Sequence, residues 1–476
     1  MAAPTHDTDV TSRATPAATA RSALASERLR RAASSLLLGR PWFDGAALHL
    51  LGHWFFPLSR LWAAAHLAGG RADNFAHHVA DGYRVAATPA LRRALDRFEA
   101  ARATSSALDA AWEHVFFGPH DFPEPYRTAT EAARIRHRHA LNATRRHFLR
   151  LVDASVPPVR RDIAAPADVA AAYATAIADP TPLFAPPAAW PAVEVSRSIP
   201  GRSGTDHWIR FPSPSGRLGD TVTARVYAPV GVDDPPTIIF GHGVCVEFDH
   251  WQGLVDEVDE LVRGGVRVIR PEAPSHGRRA RAGQFGGEHI IATFPLGLLD
   301  ALTGAVREWS VLAHWAKATS RGPLGFGGTS LGALTAQLAA DRARDWPESL
   351  RPEALLLITH CGRVGDAVIG GALAGIWGGH EIAVAKGWTE DAIRSYLALL
   401  DPARRLTVRP ERIVSVLGRR DVVTPYPGGL ELVERWCVPA DNTFLLDRGH
   451  FSVPMTLLGN PAPVRRFIEA LTSPDR

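Results

Sequence analysis

From residue 194 to the C-terminus, short β-prone segments alternate with segments of helical periodicity. The predicted strands cover residues 221–227, 237–240, 266–269, 324–327, 354–359, 413–417 and 443–446. Predicted helices lie between or after them at residues 249–263, 298–317, 331–342 and 467–471. Alternation of this kind produces parallel strands whose crossover helices cover both faces of the sheet. The sequence therefore predicts an α/β fold, with a mostly parallel sheet and helices on both faces, over residues 194–476.

The chain before residue 194 lacks this alternation. Residues 1–25 are rich in Ala, Thr, Pro and Ser, which predicts a disordered tail. Residues 26–152 space their apolar side chains at helical intervals and predict an N-terminal helical region. Residues 153–193 are rich in Pro and Ala, and they predict an extended connector with one short helix near 167–177.

A stretch at residues 363–410 separates two of the predicted strands. It begins Gly-rich and apolar and ends with a predicted helix near 390–400. Because it follows a parallel strand, it would project from the carboxyl edge of the sheet, where open α/β folds bind ligands. We expect either a cap-like insertion over a binding site or a purely structural excursion.

The pentapeptide Gly328-Thr329-Ser330-Leu331-Gly332 lies between a predicted strand and a predicted helix. In this setting the pattern G-x-S-x-G forms a nucleophile elbow, a sharp turn that exposes the serine hydroxyl. The flanking glycines leave room for strained backbone, and the start of the helix offers unpaired N–H groups to an oxyanion. Ser330 is therefore the predicted catalytic nucleophile.

A serine hydroxyl needs a general base, which is oriented in turn by an acid. Asp421 and His450 follow the last two predicted strands, and they continue the chain order of nucleophile, acid and base. His450 is therefore the predicted base and Asp421 the predicted acid. Asp401 and Asp447 are the alternative acids, but Asp447 is too close to His450 in sequence to reach it easily.

A tetrahedral oxyanion needs two N–H donors. One is expected from Leu331, the residue after the nucleophile, and the other from the loop after the predicted strand 237–240. In that loop, which reads Gly-His-Gly-Val-Cys, Val244 is the predicted donor and Cys245 the alternative. The residues expected to contact the substrate are His242, Gly243, Cys245 and Thr329.

Residues from about 220 to 472 resemble the α/β-hydrolase superfamily. The resemblance rests on the His242-Gly243 loop, the elbow at 328–332, the Asp421 turn and His450. The Gly-rich run 322–332, with a tryptophan before it and another between the predicted acid and base, is similar to a poorly characterised abhydrolase-domain branch. The resemblance implies an α/β-hydrolase fold and a serine esterase or lipase-like activity through an acyl-enzyme, without metal or organic cofactor. The longer HGGG loop of some lipases and esterases is missing from this sequence.

Composition excludes several other kinds of function. The net charge is only +4 over 476 residues, which is not the footprint of a nucleic-acid-binding protein. Three dispersed cysteines, Cys245, Cys361 and Cys437, provide neither a disulfide framework nor a structural zinc site. They predict a reducing, cytoplasmic location.

The most hydrophobic stretch of the sequence covers residues 41–70. Its aromatic side chains are Trp42, Phe43, Trp54, Phe55, Phe56 and Trp62. It also carries Asp44, Arg60 and several histidines, so it predicts no membrane-spanning helix. We expect the aromatic side chains to pack on the rest of the protein. The alternative is peripheral contact with a membrane surface.

These features predict a serine hydrolase that cleaves a carboxylic ester or thioester of a small-molecule acyl or lipid-like substrate. Acyl transfer and peptide cleavage use the same residue types, so both are alternatives. A non-catalytic binding protein on a hydrolase fold is a third. The sequence leaves the oligomeric state open.

Overall fold

The computed structural model describes residues 39–246, 258–402 and 406–473. The predicted disordered tail lies outside the described residues, as does most of the helix predicted at 249–263. A sheet of ten strands dominates the second half of the chain. Its strands are β1 (Glu194–Val195), β2 (Ile199–Pro200), β3 (Thr205–Pro212), β4 (Thr221–Ala228), β5 (Thr237–Gly241), β6 (Arg267–Pro271), β7 (Leu324–Thr329), β8 (Ala354–Ile358), β9 (Ile413–Gly418) and β10 (Thr443–Leu446).

The strand order across the sheet is β1-β3-β4-β6-β5-β7-β8-β9-β10, with β2 paired to β3. The six strands β6-β5-β7-β8-β9-β10 are each parallel to their neighbours within this set. β3 and β4 pair antiparallel with each other, and β4 pairs antiparallel with β6. All parallel strands therefore deliver the loops that follow them to one edge of the sheet.

Helices cover both faces of this sheet. They are Asp259–Arg263, Glu288–Ala292, Leu296–Thr319, Leu331–Arg342, Tyr426–Arg435, Ser452–Leu457 and Ala462–Thr472. Successive strand residues point to opposite faces. On β5, Ile239 joins the core under the helices Leu296–Thr319 and Leu331–Arg342, whereas Ile238 joins the core under Ala462–Thr472. The predicted fold class, a mostly parallel sheet with helices on both faces, is confirmed.

Between β8 and β9 the chain forms four short helices. They are Val364–Val368, Ala372–Trp377, Gly379–Ala385 and Glu390–Leu397. These helices occupy the stretch 363–410, which leaves the sheet at the carboxyl end of β8.

From residue 39, where the description begins, to the start of the sheet, the chain is mainly helical. Its helices are Pro41–Leu50, Phe56–Ala68, Ala72–Val79, Pro89–Phe117, Glu124–Ala143, Pro166–Ala178 and Thr181–Phe184, with a π-helical turn at Leu51–Phe55 and a 3-10 helix at Thr144–Leu151. This region has a core of its own, built on Leu61, Phe75, Leu95, Phe98 and Phe148. The predicted N-terminal helical region is therefore present in the described residues.

The contacts between the N-terminal helices and the sheet domain include an aromatic pair and a buried ion pair. The indole of Trp112 packs edge-on against Trp208 of β3, with ring centroids 5.2 Å apart. Arg60 forms an ion pair with Glu288, and both side chains are almost completely buried. Burial raises the pKa of the Glu288 carboxyl, and Arg60 opposes this shift.

The seven predicted strands are all present, with ends shifted by one or two residues. Strands β1 to β3 are absent from the predicted set. In β3, the buried Trp208, Ile209 and Phe211 alternate imperfectly with polar residues. Asp206 of this strand is itself buried, because it pairs with Arg225 of β4 at 2.5 Å. A charged residue on the buried face obscures the two-residue periodicity from which a strand is predicted.

Candidate active site

Ser330 occupies a sharp turn between β7 and the helix Leu331–Arg342. Its backbone has φ +56° and ψ −118°, a conformation that non-glycine residues rarely adopt. A side-chain carbon on Gly332 would overlap the backbone of Gly241 at the end of β5, and one on Gly328 would overlap the backbone of Gly332. The two glycines of the pentapeptide are thus needed for close packing under the turn, and the strained serine is held at the carboxyl edge of the sheet.

Ser330, His450 and Asp421 form a chain of hydrogen bonds. The Ser330 Oγ lies 2.9 Å from His450 Nε2, and His450 Nδ1 lies 2.8 Å from Asp421 Oδ2. An ionised carboxylate only accepts hydrogen bonds, so Nδ1 carries the proton and Nε2 is free to accept the proton of the serine. All three side chains are buried, so their interactions are little screened by solvent. The structure brings together the three residues predicted as nucleophile, base and acid.

The Asp421 carboxylate is fixed by its own loop. Its Oδ1 accepts hydrogen bonds from the backbone N–H groups of Val423 and Thr424, at 2.8 and 2.9 Å. Its Oδ2 lies 2.9 Å from the hydroxyl of Thr424. These hydrogen bonds fix the orientation of the carboxylate toward His450. Thr424 is absent from the predicted site, although a Thr three residues after an Asp is a spacing at which side-chain and backbone hydrogen bonds of this kind form.

The alternative acids lie elsewhere. Asp447 is exposed and pairs with Arg420 at 2.6 Å. Asp401 accepts a hydrogen bond from the Val364 backbone N–H at 2.8 Å, in the segment between β8 and β9. Burial raises the pKa of Asp401 to about 6. Neither carboxylate is hydrogen-bonded to His450.

The two predicted oxyanion donors face the same space as Ser330. Leu331 begins its helix, and its N–H has no hydrogen-bond partner among the described residues. The N–H of Val244 likewise lacks a partner in the described part of the chain. By contrast, the N–H of Cys245 donates to His276 Nε2 at 2.9 Å. Val244 is therefore better placed than Cys245 to supply the second donor.

Two buried imidazoles hold the loop that carries Val244. His242 Nε2 accepts a hydrogen bond from the Ala273 N–H at 3.0 Å, while its Nδ1 lies 2.8 Å from the Gly243 carbonyl. His276 accepts from Cys245 and its Nδ1 lies 2.9 Å from the Pro274 carbonyl. In each ring, both nitrogens lie within hydrogen-bond distance of backbone groups, so the two rings hold the loop in place.

A cavity of about 780 Å³, counting its open mouth, lies beside Ser330. Its wall is almost entirely apolar and includes Val244, Phe294, Leu298, Leu331, Leu373 and Trp377. Leu373 and Trp377 come from the segment between β8 and β9. Among its few polar lining residues are Ser330, Thr424 and Arg161. An apolar cavity with few polar groups is the usual form of a small-molecule site.

The residues predicted to contact substrate are next to this cavity without lining it. His242, Gly243, Cys245 and Thr329 are all absent from its wall, whereas their neighbours Val244 and Ser330 belong to it. A side-chain carbon on Gly243 would lie 3.7 Å from the Ser330 Cβ. That is an ordinary van der Waals distance, so a side chain would fit at position 243, and the loop that carries Val244 lies next to the nucleophile.

An aspartate from the N-terminal helices holds the loop that carries His450. Asp44, which is 8% exposed, accepts hydrogen bonds from the backbone N–H groups of Phe451 at 2.7 Å, Ser452 at 3.2 Å and Gly449 at 3.3 Å. It also accepts a hydrogen bond from the Ser452 hydroxyl. Asp44 is not in the predicted site, because it lies 405 residues from Gly449 and no local pattern marks it.

The aromatic side chains of residues 41–70 divide between core and surface. Phe56 and Trp62 are buried, and Phe56 packs against Trp377 with ring centroids 5.6 Å apart. Trp42 and Trp54 are 60% and 43% exposed. Across the described ranges, no helix is both long enough and apolar enough to cross a bilayer. The expectation that this stretch packs inward therefore holds for part of it only.

Comparison with known proteins gives matches at the level of structure only. No family model matches the chain, and no curated protein matches it. Acetyl xylan esterase 1 from Thermoanaerobacterium sp. JW/SL YS485 is similar over 62% of this chain and 93% of its own, at 17% identity and TM-score 0.46. An S-formylglutathione hydrolase from Agrobacterium tumefaciens is similar over 58% and 99%, at 15% identity and TM-score 0.39. A cold-adapted esterase from an Arctic intertidal metagenomic library is similar over 58% and 97%, at 16% identity and TM-score 0.36.

Proposed function

We propose that this chain, which has the fold of the α/β-hydrolases, is a serine hydrolase that cleaves carboxylic esters through an acyl-enzyme. The observation that carries the proposal is the hydrogen-bonded chain from Ser330 through His450 to Asp421, which opens into an apolar cavity. A hydroxyl paired with an oriented imidazole is the arrangement that activates serine as a nucleophile.

In the first half of the reaction, Ser330 Oγ attacks the acyl carbonyl carbon and its proton passes to His450 Nε2. The carbonyl electron pair moves onto oxygen, where the N–H groups of Val244 and Leu331 stabilise the negative charge. Collapse of this intermediate breaks the ester bond, and the leaving alcohol takes the proton from His450. The acyl group remains on Ser330.

In the second half, a water molecule attacks the acyl carbonyl carbon and gives its proton to His450. The new tetrahedral intermediate collapses by breaking the bond to Ser330 Oγ, which recovers the proton from the imidazole. A carboxylic acid leaves. Throughout, Asp421 keeps Nδ1 protonated and stabilises the imidazolium that forms twice in each cycle.

The apolar wall supports an acyl ester or lipid-like substrate. Side chains such as Phe294, Leu298 and Leu373 offer no hydrogen bonds, so they favour a hydrocarbon chain. Thioesters fit the same chemistry, because the acyl group and the oxyanion are the same. The chain length that the cavity accepts is the property to measure first.

The test compares the wild-type protein with a Ser330→Ala variant. We expect a fluorophosphonate probe to label the wild type and not the variant, and we expect the variant to lose hydrolysis of p-nitrophenyl esters from acetate to decanoate. Ser105→Ala is a matched control, because Ser105 is also buried but lies in the helix Pro89–Phe117. Undiminished labelling of the Ser330→Ala protein would refute the proposal, and so would a folded wild type that neither reacts with the probe nor hydrolyses any ester.

We propose in addition that the exposed part of residues 41–70 contacts a membrane surface. Trp42, Leu50 and Trp54 are exposed on consecutive helical segments, and aromatic side chains favour the interface between water and lipid. The wild type should cosediment with phosphatidylcholine vesicles, and a Trp42→Ser/Trp54→Ser variant should not. Tyr126→Ser, which alters an exposed aromatic residue on the helix Glu124–Ala143, is the control. Equal sedimentation of all three proteins, or none by the wild type, would exclude this contact.

A further inference from the structure

Among the described residues that line the apolar cavity beside Ser330, Arg161 is the one with a cationic side chain. The connector that carries Arg161 is pinned to the helix Glu288–Ala292, since the N–H of Asp162 donates to the Ala292 carbonyl at 3.0 Å. The guanidinium Nη1 donates to the Ile291 carbonyl at 2.6 Å. Two hydrogen bonds to the helix Glu288–Ala292 therefore hold Arg161 in the cavity wall, one from its own guanidinium and one from the backbone N–H of the next residue.

The guanidinium has no anionic partner within the described residues. No carboxylate there forms an ion pair with it, and its Nη2 is buried without a hydrogen-bond acceptor. The nearby Glu288 carboxylate is instead engaged by Arg60 and by the N–H of Arg160. Burial lowers the pKa of Arg161 to about 10, so the side chain remains charged at neutral pH. The carboxylates of Glu288 and Glu381 raise this pKa, but neither forms an ion pair with the guanidinium in the described structure. Arg161 is therefore a half-buried cation without a direct counter-ion, and a bound anion would supply one.

A second unpaired donor lines the same cavity. Trp377 Nε1 is buried and has no acceptor among the described residues. It lies two residues before Gly379, which is so close to Arg161 that a side-chain carbon there would be 3.1 Å from Nη1. Gly379 also lines the cavity. The cavity wall, which is largely apolar, thus includes both a cation and an unpaired N–H donor, and Gly379 leaves space beside the cation.

We propose that Arg161, with Trp377, binds a carboxylate carried by the substrate, so that the ester cleaved at Ser330 is a monoanion with an apolar segment between its two polar ends. The inference rests on the proposed hydrolase function. A single guanidinium matches a single negative charge, and an oxygen anion can accept hydrogen bonds from both the guanidinium and the indole. The carboxylate belongs either to the acyl chain or to the alcohol.

Two pairs of esters distinguish these sources. The acyl pair is the mono-p-nitrophenyl ester of suberic acid and the same compound with its free carboxylate capped as a methyl ester. The alcohol pair is the octanoate ester of 3-hydroxypropionate and the same compound with its free carboxylate capped as a methyl ester. Hydrolysis of this pair is measured by the release of octanoic acid. For the pair that matches the site, we expect kcat/KM of the wild type to be about 10- to 100-fold higher for the charged member than for the neutral one. This factor corresponds to one charge-assisted hydrogen bond, and it should arise mainly from a lower KM for the charged ester.

Variants assign the preference to Arg161. In Arg161→Gln the ratio of charged to neutral kcat/KM should fall to about one, and Arg161→Lys should restore part of it because the charge returns without the fork of donors. Trp377→Phe, which removes the N–H and keeps a ring, should lower the ratio by severalfold. Arg160→Gln is the matched control, since the Arg160 side chain points to the exposed Asp81 and should leave the ratio unchanged.

Equal kcat/KM for the charged and neutral members of both pairs in the wild type would overturn the proposal, and so would a preference that survives in Arg161→Gln. Either result would leave the hydrolase function intact, because the neutral esters would still be cleaved in a Ser330-dependent way. If the wild type cleaves none of the esters, the hydrolase proposal itself fails. Calorimetric binding of the same pairs to the Ser330→Ala protein then decides the role of Arg161, with equal affinities counting against it.

Discussion

The carboxyl edge of the sheet and the N-terminal helical region both act on the loop that carries His450, but in different ways. From the sheet edge, Asp421 contacts the imidazole directly. From the N-terminal helices, Asp44 contacts the backbone and Ser452 on either side of the histidine and never the ring. In the proposed mechanism, one carboxylate therefore fixes the tautomer and orientation of the imidazole, and the other fixes the position of the loop that carries it. The two roles predict different losses when each carboxylate is removed.

The largest effect is expected from Asp421→Asn. The amide keeps the side-chain shape but no longer holds the proton on His450 Nδ1, so kcat should fall by roughly 10⁴-fold. The measurement is steady-state hydrolysis of p-nitrophenyl butyrate, with thermal unfolding to check the fold. Asp447→Asn, at the exposed aspartate that pairs with Arg420, is the control and should keep full activity. A comparable loss in the Asp447 variant would mean that the acid is misassigned.

A smaller effect is expected from Asp44→Asn. Asparagine retains one acceptor oxygen of the two, so part of the hydrogen bonding to the 449–452 loop is lost, at about 1.5–3 kcal/mol for each bond to a charged group. We expect kcat to fall about 10- to 100-fold with little change in KM, because the base is displaced while the cavity is intact. The rate of fluorophosphonate labelling should fall by the same factor.

Asp73→Asn is the control for the Asp44 variant. Asp73 lies on the helix Ala72–Val79 of the same region, is largely exposed and pairs only with Arg71 in the described structure. Its loss should alter neither kcat nor labelling. If Asp44→Asn lowers the free energy of unfolding but leaves kcat and the labelling rate unchanged, Asp44 supports the fold and does not position His450.

The smallest effect is expected from Asp401→Asn, which tests the third carboxylate near the sheet edge. Burial raises the pKa of Asp401 to about 6, so the folded protein binds this proton more tightly than the unfolded chain does. Ionisation therefore reduces stability as pH rises from about 4 to 6, and the reduction is complete above that range. Asparagine cannot ionise, so the variant should gain on the order of 1–3 kcal/mol at pH 8 and almost nothing at pH 4.

Urea unfolding at the two pH values measures the Asp401 effect, and ester hydrolysis at pH 8 should be unchanged. A stability gain of equal size at both pH values would show that the charge of Asp401 is not the cause. A loss of hydrolysis would show that Asp401 contributes to the reaction, which its hydrogen bond to Val364 gives no reason to expect.

The sequence predicted the parts of the site that strand ends mark. Ser330, Asp421 and His450 each follow a strand recognisable from its apolar run, and the parallel sheet brings those ends to one edge. The same logic gave Leu331 and the Val244 loop. What makes these positions predictable is that the chemistry is encoded locally, in a few residues around each turn.

The remaining parts depend on contacts that no local pattern reveals. Asp44 resembles any helical aspartate until the chain has folded and Phe451 lies against it. Arg161 is one of many arginines in an arginine-rich sequence, and only its place beside Trp377 in the cavity wall distinguishes it. β3 is absent from the predicted strands for a related reason. Its buried Asp206 is compatible with a strand because Arg225 on the next strand neutralises its charge, and that partner is not evident from the sequence of β3.

The hydrogen bonds between Asp44 and residues 449–452 also determine when the site can form during synthesis of the chain. A ribosome synthesises residue 44 long before residue 452, so these hydrogen bonds cannot form until more than 400 further residues have been added. A nascent chain that already holds Asp44, Ser330 and Asp421 still lacks the imidazole and the loop that Asp44 anchors. Chains that terminate before residue 450 should accordingly be inert toward esters.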